Sequence, residues 1–131
     1  MSEKNGKPKI LVVDDDGVVS KFLETALEFK GYAVTVVSSG QEALKWINCE
    51  IFKMILLDLG LKDISGMQVL EQIKKQSPAL PVIMVTGCHE EAEARRALEL
   101  GAFDYITKPV DMNYLIRVLD LQFLNERGQH E

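Results

Sequence analysis

Short apolar runs recur along the chain at regular intervals. Ile10–Val13, Met54–Leu57 and Val82–Val85 have no polar break, Ala33–Val37 is mostly β-branched, and Phe103–Ile106 is a shorter fifth run. A strand covered on both faces reads as a continuous apolar segment rather than an alternating one. Between these runs the period lengthens. Gly17 to Lys30 carries Val19, Phe22, Leu23, Ala26 and Leu27 at helical spacing, and Gly31 is a C-terminal stop. The turn Ser38-Ser39-Gly40, with Ser39 as N-cap, leads into a helix over Gln41 to Asn48 with Ala43, Leu44 and Ile47 on one face. Met67 to Gln76 places Val69, Leu70 and Ile73 together and stops at Ser77-Pro78. Glu90 to Leu100 carries Ala94, Ala97 and Leu98, with Gly101 just beyond. Asp111 is an N-cap for a last helix reaching about Asn125.

Strict alternation of strand and helix predicts an α/β fold: a parallel sheet with helices on both faces, joined by right-handed crossovers. On the last helix, Met112, Leu115, Ile116, Leu119 and Phe123 form one stripe, wide enough to cover the sheet. Tyr114, Val118 and Leu121 fall on the opposite side, where the wheel leaves them in water. Contiguous exposed apolar surface marks a contact site, although scattered surface apolar residues are common.

The chain's 131 residues suggest one domain, over residues 9–126. Met1 to Pro8 reads as a disordered lead-in and residues 127–131 as a polar tail. With no further domain after the tail, the expectation is a domain standing alone or excised from a longer protein. A composition of 47% hydrophobic and 27% charged residues is that of a soluble globular protein. The net charge is -5 with no basic block, which argues against direct nucleic-acid binding. No apolar run reaches membrane-spanning length, and the first residues lack a signal peptide's apolar core. Cys49 and Cys88 are far apart without metal-type spacing and read as reduced thiols of a cytoplasmic protein.

In open α/β sheets, ligands bind at the carboxyl ends of the strands. Here those ends are Asp14-Asp15-Asp16, Ser38, Asp58, Thr86 and Lys108. Clustered acids repel one another unless a cation joins them, and a hard divalent ion such as Mg²⁺ suits oxygen ligands. Capping of the following helix accounts for one of the three adjacent aspartates only. An ammonium and a hydroxyl aimed at the same point suit a phosphoryl group carried on a carboxylate.

The motifs Ile10-Leu11-Val12-Val13-Asp14-Asp15-Asp16, Leu56-Leu57-Asp58, Val85-Thr86-Gly87 and Gly101 through Thr107-Lys108-Pro109 stand in order along the chain. Together they resemble the receiver domain of a two-component response regulator, from Lys9 to about Asn125. The resemblance implies a flavodoxin-like sheet of order 2-1-3-4-5 and a switch phosphorylated by a histidine kinase or phosphotransfer protein. It implies Asp58 as phospho-acceptor and Mg²⁺ held by Asp15 directly, Asp14 through water, Asp58 and the Gly60 carbonyl. Thr86 and Lys108 would contact phosphoryl oxygens, with Lys108-Pro109 cis. Tyr105 would be the aromatic switch and Asp16 a supporting acid. The last helix would be a dimer or effector surface through Tyr114, Val118 and Leu121.

Two positions depart from the family pattern: Lys62 stands where a proline is usual, and Ser65 where an aspartate is usual. They predict a less rigid loop and an added cation near the site. Gly60 and Cys88 offer little to steer an attacking water, which leaves the phosphoryl lifetime open. Three other readings compete. An aspartyl-phosphate phosphohydrolase would need a second acid at the place of Gly60. A flavodoxin-like cofactor binder would need a phosphate-cradling loop where the three aspartates stand. The third is a receiver-like interaction module that works without phosphorylation.

Overall fold

A computed structural model describes residues 6–128, with side chains as far as Phe123. The elements are β1 (Lys9–Val13), α1 (Gly17–Phe29), β2 (Ala33–Val37), α2 (Gly40–Cys49), β3 (Met54–Leu57), α3 (Gly66–Gln76), β4 (Val82–Thr86), α4 (Glu91–Glu99), β5 (Asp104–Thr107) and α5 (Met112–Gly128). The strands form one parallel sheet in the order β2-β1-β3-β4-β5. β1 lies between β2 and β3, with Val13 in register with Val37 on one side and Leu57 on the other.

The uniform apolar runs divide between two cores. Leu11, Val13, Ile55, Leu57 and Met84 pack with residues of α2, α3 and α4, including Ala43, Val69, Leu70, Ile73 and Ala97. Their neighbours Ile10, Val12, Met54, Leu56, Ile83 and Val85 pack with Leu23 and Leu27 of α1 and Leu115, Leu119 and Phe123 of α5. Successive strand residues point to opposite faces, and here both faces are covered.

Helix ends follow local chemistry. Asp16 caps α1, Ser39 caps α2, and Ser65 with Gln68 forms a capping box at α3. Gly31 follows α1 at φ +101°, a left-handed conformation that glycine adopts without steric cost. Asp111 accepts the Tyr114 N–H at the start of α5. The Lys108–Pro109 bond is cis.

The structure corrects several expectations. The buried stripe of α1 is Ser20, Leu23 and Leu27, and Phe22 is 51% exposed. Leu98 of α4 is likewise exposed. β5 begins at Asp104, leaving Phe103 exposed, and β4 extends through Thr86. α5 runs to Gly128, into the expected tail. The expected lead-in falls outside the described residues up to position 5, as does the tail from 129 to 131. At the end of that lead-in, the Pro8 carbonyl accepts the Ala33 N–H at 2.9 Å. Val118 is not left in water: it is half-buried and packs against the α1/α5 core. It lies three residues beyond Leu115 and one before Leu119, so it flanks the buried stripe instead of opposing it. Tyr114 and Leu121 are exposed as expected.

Two stability predictions follow from this packing. A Cβ at Gly66 would press into the Asp58 carbonyl oxygen and the Leu59 Cα, both backbone atoms, whereas one at Gly17 meets nothing within 4 Å. Gly66→Ala should therefore lose about 1–3 kcal/mol in urea unfolding, with Gly17→Ala neutral or slightly stabilised. Equal midpoints for the two variants would refute the close approach. Val118→Asp should cost about 2 kcal/mol by placing a carboxylate against apolar core, whereas Leu121→Asp should change stability by less than about 0.5 kcal/mol.

Candidate functional site

The site is built where the strands end. The Asp14 N–H donates to the Val37 carbonyl at 3.1 Å, and the Asp58 N–H donates to the Val13 carbonyl at 3.0 Å. The sheet's hydrogen bonding thus continues one residue past β1 and β3 and fixes the two aspartates on one edge. Asp16 has a different task. Its Oδ1 accepts the Val18 and Val19 N–H groups as the cap of α1. Asp14 Oδ1 in turn accepts the Asp16 N–H at 2.9 Å.

Asp14, Asp15 and Asp58 remain, each offering a carboxylate oxygen within 4.8 Å of the others. Asp14 and Asp58 are buried, and Asp15 is half-buried. Three hard oxygen donors this close match the chemistry of a divalent cation such as Mg²⁺. Burial pushes the Asp14 carboxyl above its usual range, against the opposing pull of Lys108 and the Asp16 N–H, and the charge of Asp58 raises it further.

Lys108 reaches the cluster from β5. Its backbone N–H donates to the Thr86 carbonyl at 2.8 Å. Its Nζ lies 2.9 Å from Asp14 Oδ2 and 3.4 Å from Asp58 Oδ2. Burial alone would lower the lysine's pKa, but its hydrogen bond to Asp14 and the charges of Asp58 and Asp14 outweigh it and hold the pKa above its ordinary value. The ammonium is thereby secured as a cation.

Thr86 is buried at the end of β4, and its Oγ1 accepts the Cys88 N–H at 3.3 Å. The Gly60 N–H donates to Asp58 Oδ1 at 3.3 Å, which places Gly60 directly beside that carboxylate. An open cleft of about 720 Å³ lies between α3 and α4, bordered by Asp58, Gly60, Thr86, Cys88, Gln68 and Glu93.

Tyr105 stands one step from this edge. Its hydroxyl donates to the Cys88 carbonyl at 2.9 Å, and its half-buried ring packs against the α2/α3/α4 core. Burial, reinforced by the bond to Cys88, raises the phenol far above its usual range and keeps it a donor. Its N–H donates to Asp104 Oδ1, and Asp104 Oδ2 accepts the Tyr114 hydroxyl at 2.6 Å.

The loop after Asp58 contains what the sequence reading missed. Lys62 is exposed on it, and Ser65, in place of the usual aspartate, is an effective cap. Asp63 accepts the Gly40 and Gln41 N–H groups at 2.9 Å each. These ties hold a loop whose departures from the family pattern predicted less rigidity. The available signal was weak: an acid in the loop, and a glycine opening a helix far away in sequence.

Comparison with known proteins agrees with this geometry. The family model for the response regulator receiver domain matches residues 10–120. The chain is 43% identical over 101 residues to the alkaline phosphatase synthesis transcriptional regulatory protein PhoP of Bacillus subtilis, covering 77% of this chain and 42% of that protein. It is 34% identical over 122 residues to the transcriptional regulatory protein ZraR of Salmonella typhimurium, covering 93% of this chain and 28% of that protein. The chain therefore spans less than half the length of these relatives. Among solved structures, a CheY-like response regulator receiver domain protein from Methanospirillum hungatei superposes with a TM-score of 0.86 at 34% identity, covering 95% of this chain and 99% of that one. The receiver domain of NtrX from Brucella abortus gives 0.81 at 33%, covering 86% and 96%. With the family model matched from the first strand into the last helix, the chain belongs to the receiver domains of two-component response regulators.

Proposed function

We propose that residues 9–126 act as a phosphorylation switch in which Asp58 is the acceptor. The carrying observation is the convergence of three carboxylates and the Lys108 ammonium on one sheet edge, next to a buried threonine. An Asp58 oxygen attacks the phosphorus of a phosphohistidine on a kinase or phosphotransfer protein. The new P–O bond forms as the P–N bond breaks, and the imidazole leaves with the electron pair. Asp14, Asp15, Asp58 and the Gly60 carbonyl would hold Mg²⁺, which when bound offsets charge on the phosphoryl oxygens. Lys108 is positioned to follow the group from Asp14 and Asp58 onto a phosphoryl oxygen. Thr86 supplies a hydroxyl whose oxygen accepts the Cys88 N–H.

The Cys88 N–H donates to Thr86 and the Cys88 carbonyl accepts from Tyr105, and this shared residue supports a reading of how occupancy is sensed. Movement of Thr86 shifts Cys88, and Tyr105 is bonded to the same residue. On this reading a partner or second copy docks through Tyr114 and Leu121 of α5, without Val118. Gly60 in place of a second acid disfavours turnover of external substrates, so reaction is confined to the domain's own phosphorylation and dephosphorylation. Among the described residues no helix is long and apolar enough to cross a membrane. A cytoplasmic setting fits a domain that meets a kinase's phosphohistidine.

Incubation with acetyl phosphate and Mg²⁺ should add one phosphoryl group to the wild-type chain by intact mass and none to Asp58→Asn. An equal adduct on both would remove Asp58 from the role. Asp15→Ala should weaken Mg²⁺ binding by about tenfold or more in calorimetry, because a direct ligand matters at least as much as an outer-shell partner. Its metal-free melting temperature should hold or rise as repulsion is relieved. A clear drop instead would make Asp15 a structural residue.

A further inference from the structure

We infer that Asp63 is a positioning residue for the metal-binding edge, tying the acceptor loop to the N-terminus of α2 and so setting the site's affinity for a divalent cation. The inference rests on the reading of Asp14, Asp15 and Asp58 as ligands. Asp63 itself is exposed and stands outside that cluster.

Both Asp63 oxygens are engaged. Oδ1 accepts the Gly40 N–H and Oδ2 the Gln41 N–H, each at 2.9 Å. These belong to the first turn of α2, whose N–H groups have no partner within the helix and carry the positive end of its dipole. The backbone bonds, from Gly40 first and Gln41 second, hold the Asp63 carboxyl below its usual range. The adjoining Ile64 seats against the same turn. A Cβ on Gly40 would lie 2.5 Å from Ile64 Cγ1 and 2.7 Å from Val69 Cγ2.

These contacts close a circuit around the site. At its base, the loop is joined by the Gly66 N–H donating to the Leu59 carbonyl at 2.9 Å. At its tip, Asp63 fixes it to α2. α2 follows directly from β2, where the Val37 carbonyl accepts the Asp14 N–H. Asp63 thus connects the segment carrying Asp58 and Gly60 to the one that aligns Asp14, on the side away from Lys108. The helix does not need Asp63 to begin: Ser39 caps α2 by accepting the Glu42 N–H, and Glu42 Oε1 accepts the Ser38 N–H. Removing Asp63 therefore releases the loop and leaves the helix start in place.

The test is Mg²⁺ calorimetry on the full chain for wild type, Asp63→Ala and Asp63→Asn, with far-UV circular dichroism and melting curves. Asp63→Ala should bind Mg²⁺ about tenfold more weakly, the lower end of what outer-shell partners contribute. The Mg²⁺ concentration for half-maximal phosphorylation by acetyl phosphate should rise in the same ratio, with helix content unchanged. Asp63→Asn keeps one acceptor oxygen and should fall between the two. If Asp63→Ala binds Mg²⁺ as wild type does, or Asp63→Asn gives no rescue, the positioning role is wrong even where Asp15→Ala weakens binding as expected. If wild type binds no Mg²⁺, the reading of the site fails and the inference fails with it.

Discussion

Repulsion among three carboxylates is the constraint from which the functional edge is built. Asp14, Asp15 and Asp58 offer oxygens within 4.8 Å of one another, and two of these residues are buried. Such an arrangement is unfavourable unless positive charge is supplied. Lys108 supplies part of it, closer to Asp14 than to Asp58. One lysine faces three carboxyl groups here, and a divalent cation would add the positive charge that such an edge favours. The fold holds Asp14 and Asp58 close because their backbone N–H groups are hydrogen-bonded into the sheet, at the Val37 and Val13 carbonyls.

The same edge is linked to the opposite flank of the domain by short polar contacts. Thr86 and Tyr105 both bond to Cys88, one to its N–H and the other to its carbonyl. Asp104 then joins the Tyr105 backbone to the Tyr114 hydroxyl on α5. Each link is a single hydrogen bond, and together they span β4, β5 and α5. The helices cover the sheet in close-packed apolar contact, whereas these polar links lie at strand ends and in the loop after β4.

The loop after Asp58 shows how a family pattern is met by different residues. Lys62 and Ser65 replace the usual proline and aspartate. Ser65 restores the start of α3 through its capping box, and Asp63 and Ile64 hold the tip against α2. Gly40 and Gly66 allow both approaches because they have no Cβ.

The sequence by itself determined the five strands, their alternation with helices, the parallel sheet and the acids at its carboxyl edge. Unbroken apolar runs and helical spacing are local signals, and they set which faces must be buried. It also singled out Asp58, Thr86 and Lys108 for the edge, since in a parallel sheet the ends of all strands meet there. Tertiary structure decided what depends on neighbours far along the chain. It separated Asp16, a helix cap, from Asp14 and Asp15, although the three are adjacent in sequence. It turned Phe22 outward, because the buried stripe of α1 runs through Ser20, Leu23 and Leu27 and leaves Phe22 to one side. It drew Val118 against the core, because the contact of α5 with the sheet extends beyond the stripe drawn on the wheel. It gave Asp63 partners in α2, which no local pattern encodes, since a carboxylate finds helix N–H groups only once the chain has brought them together.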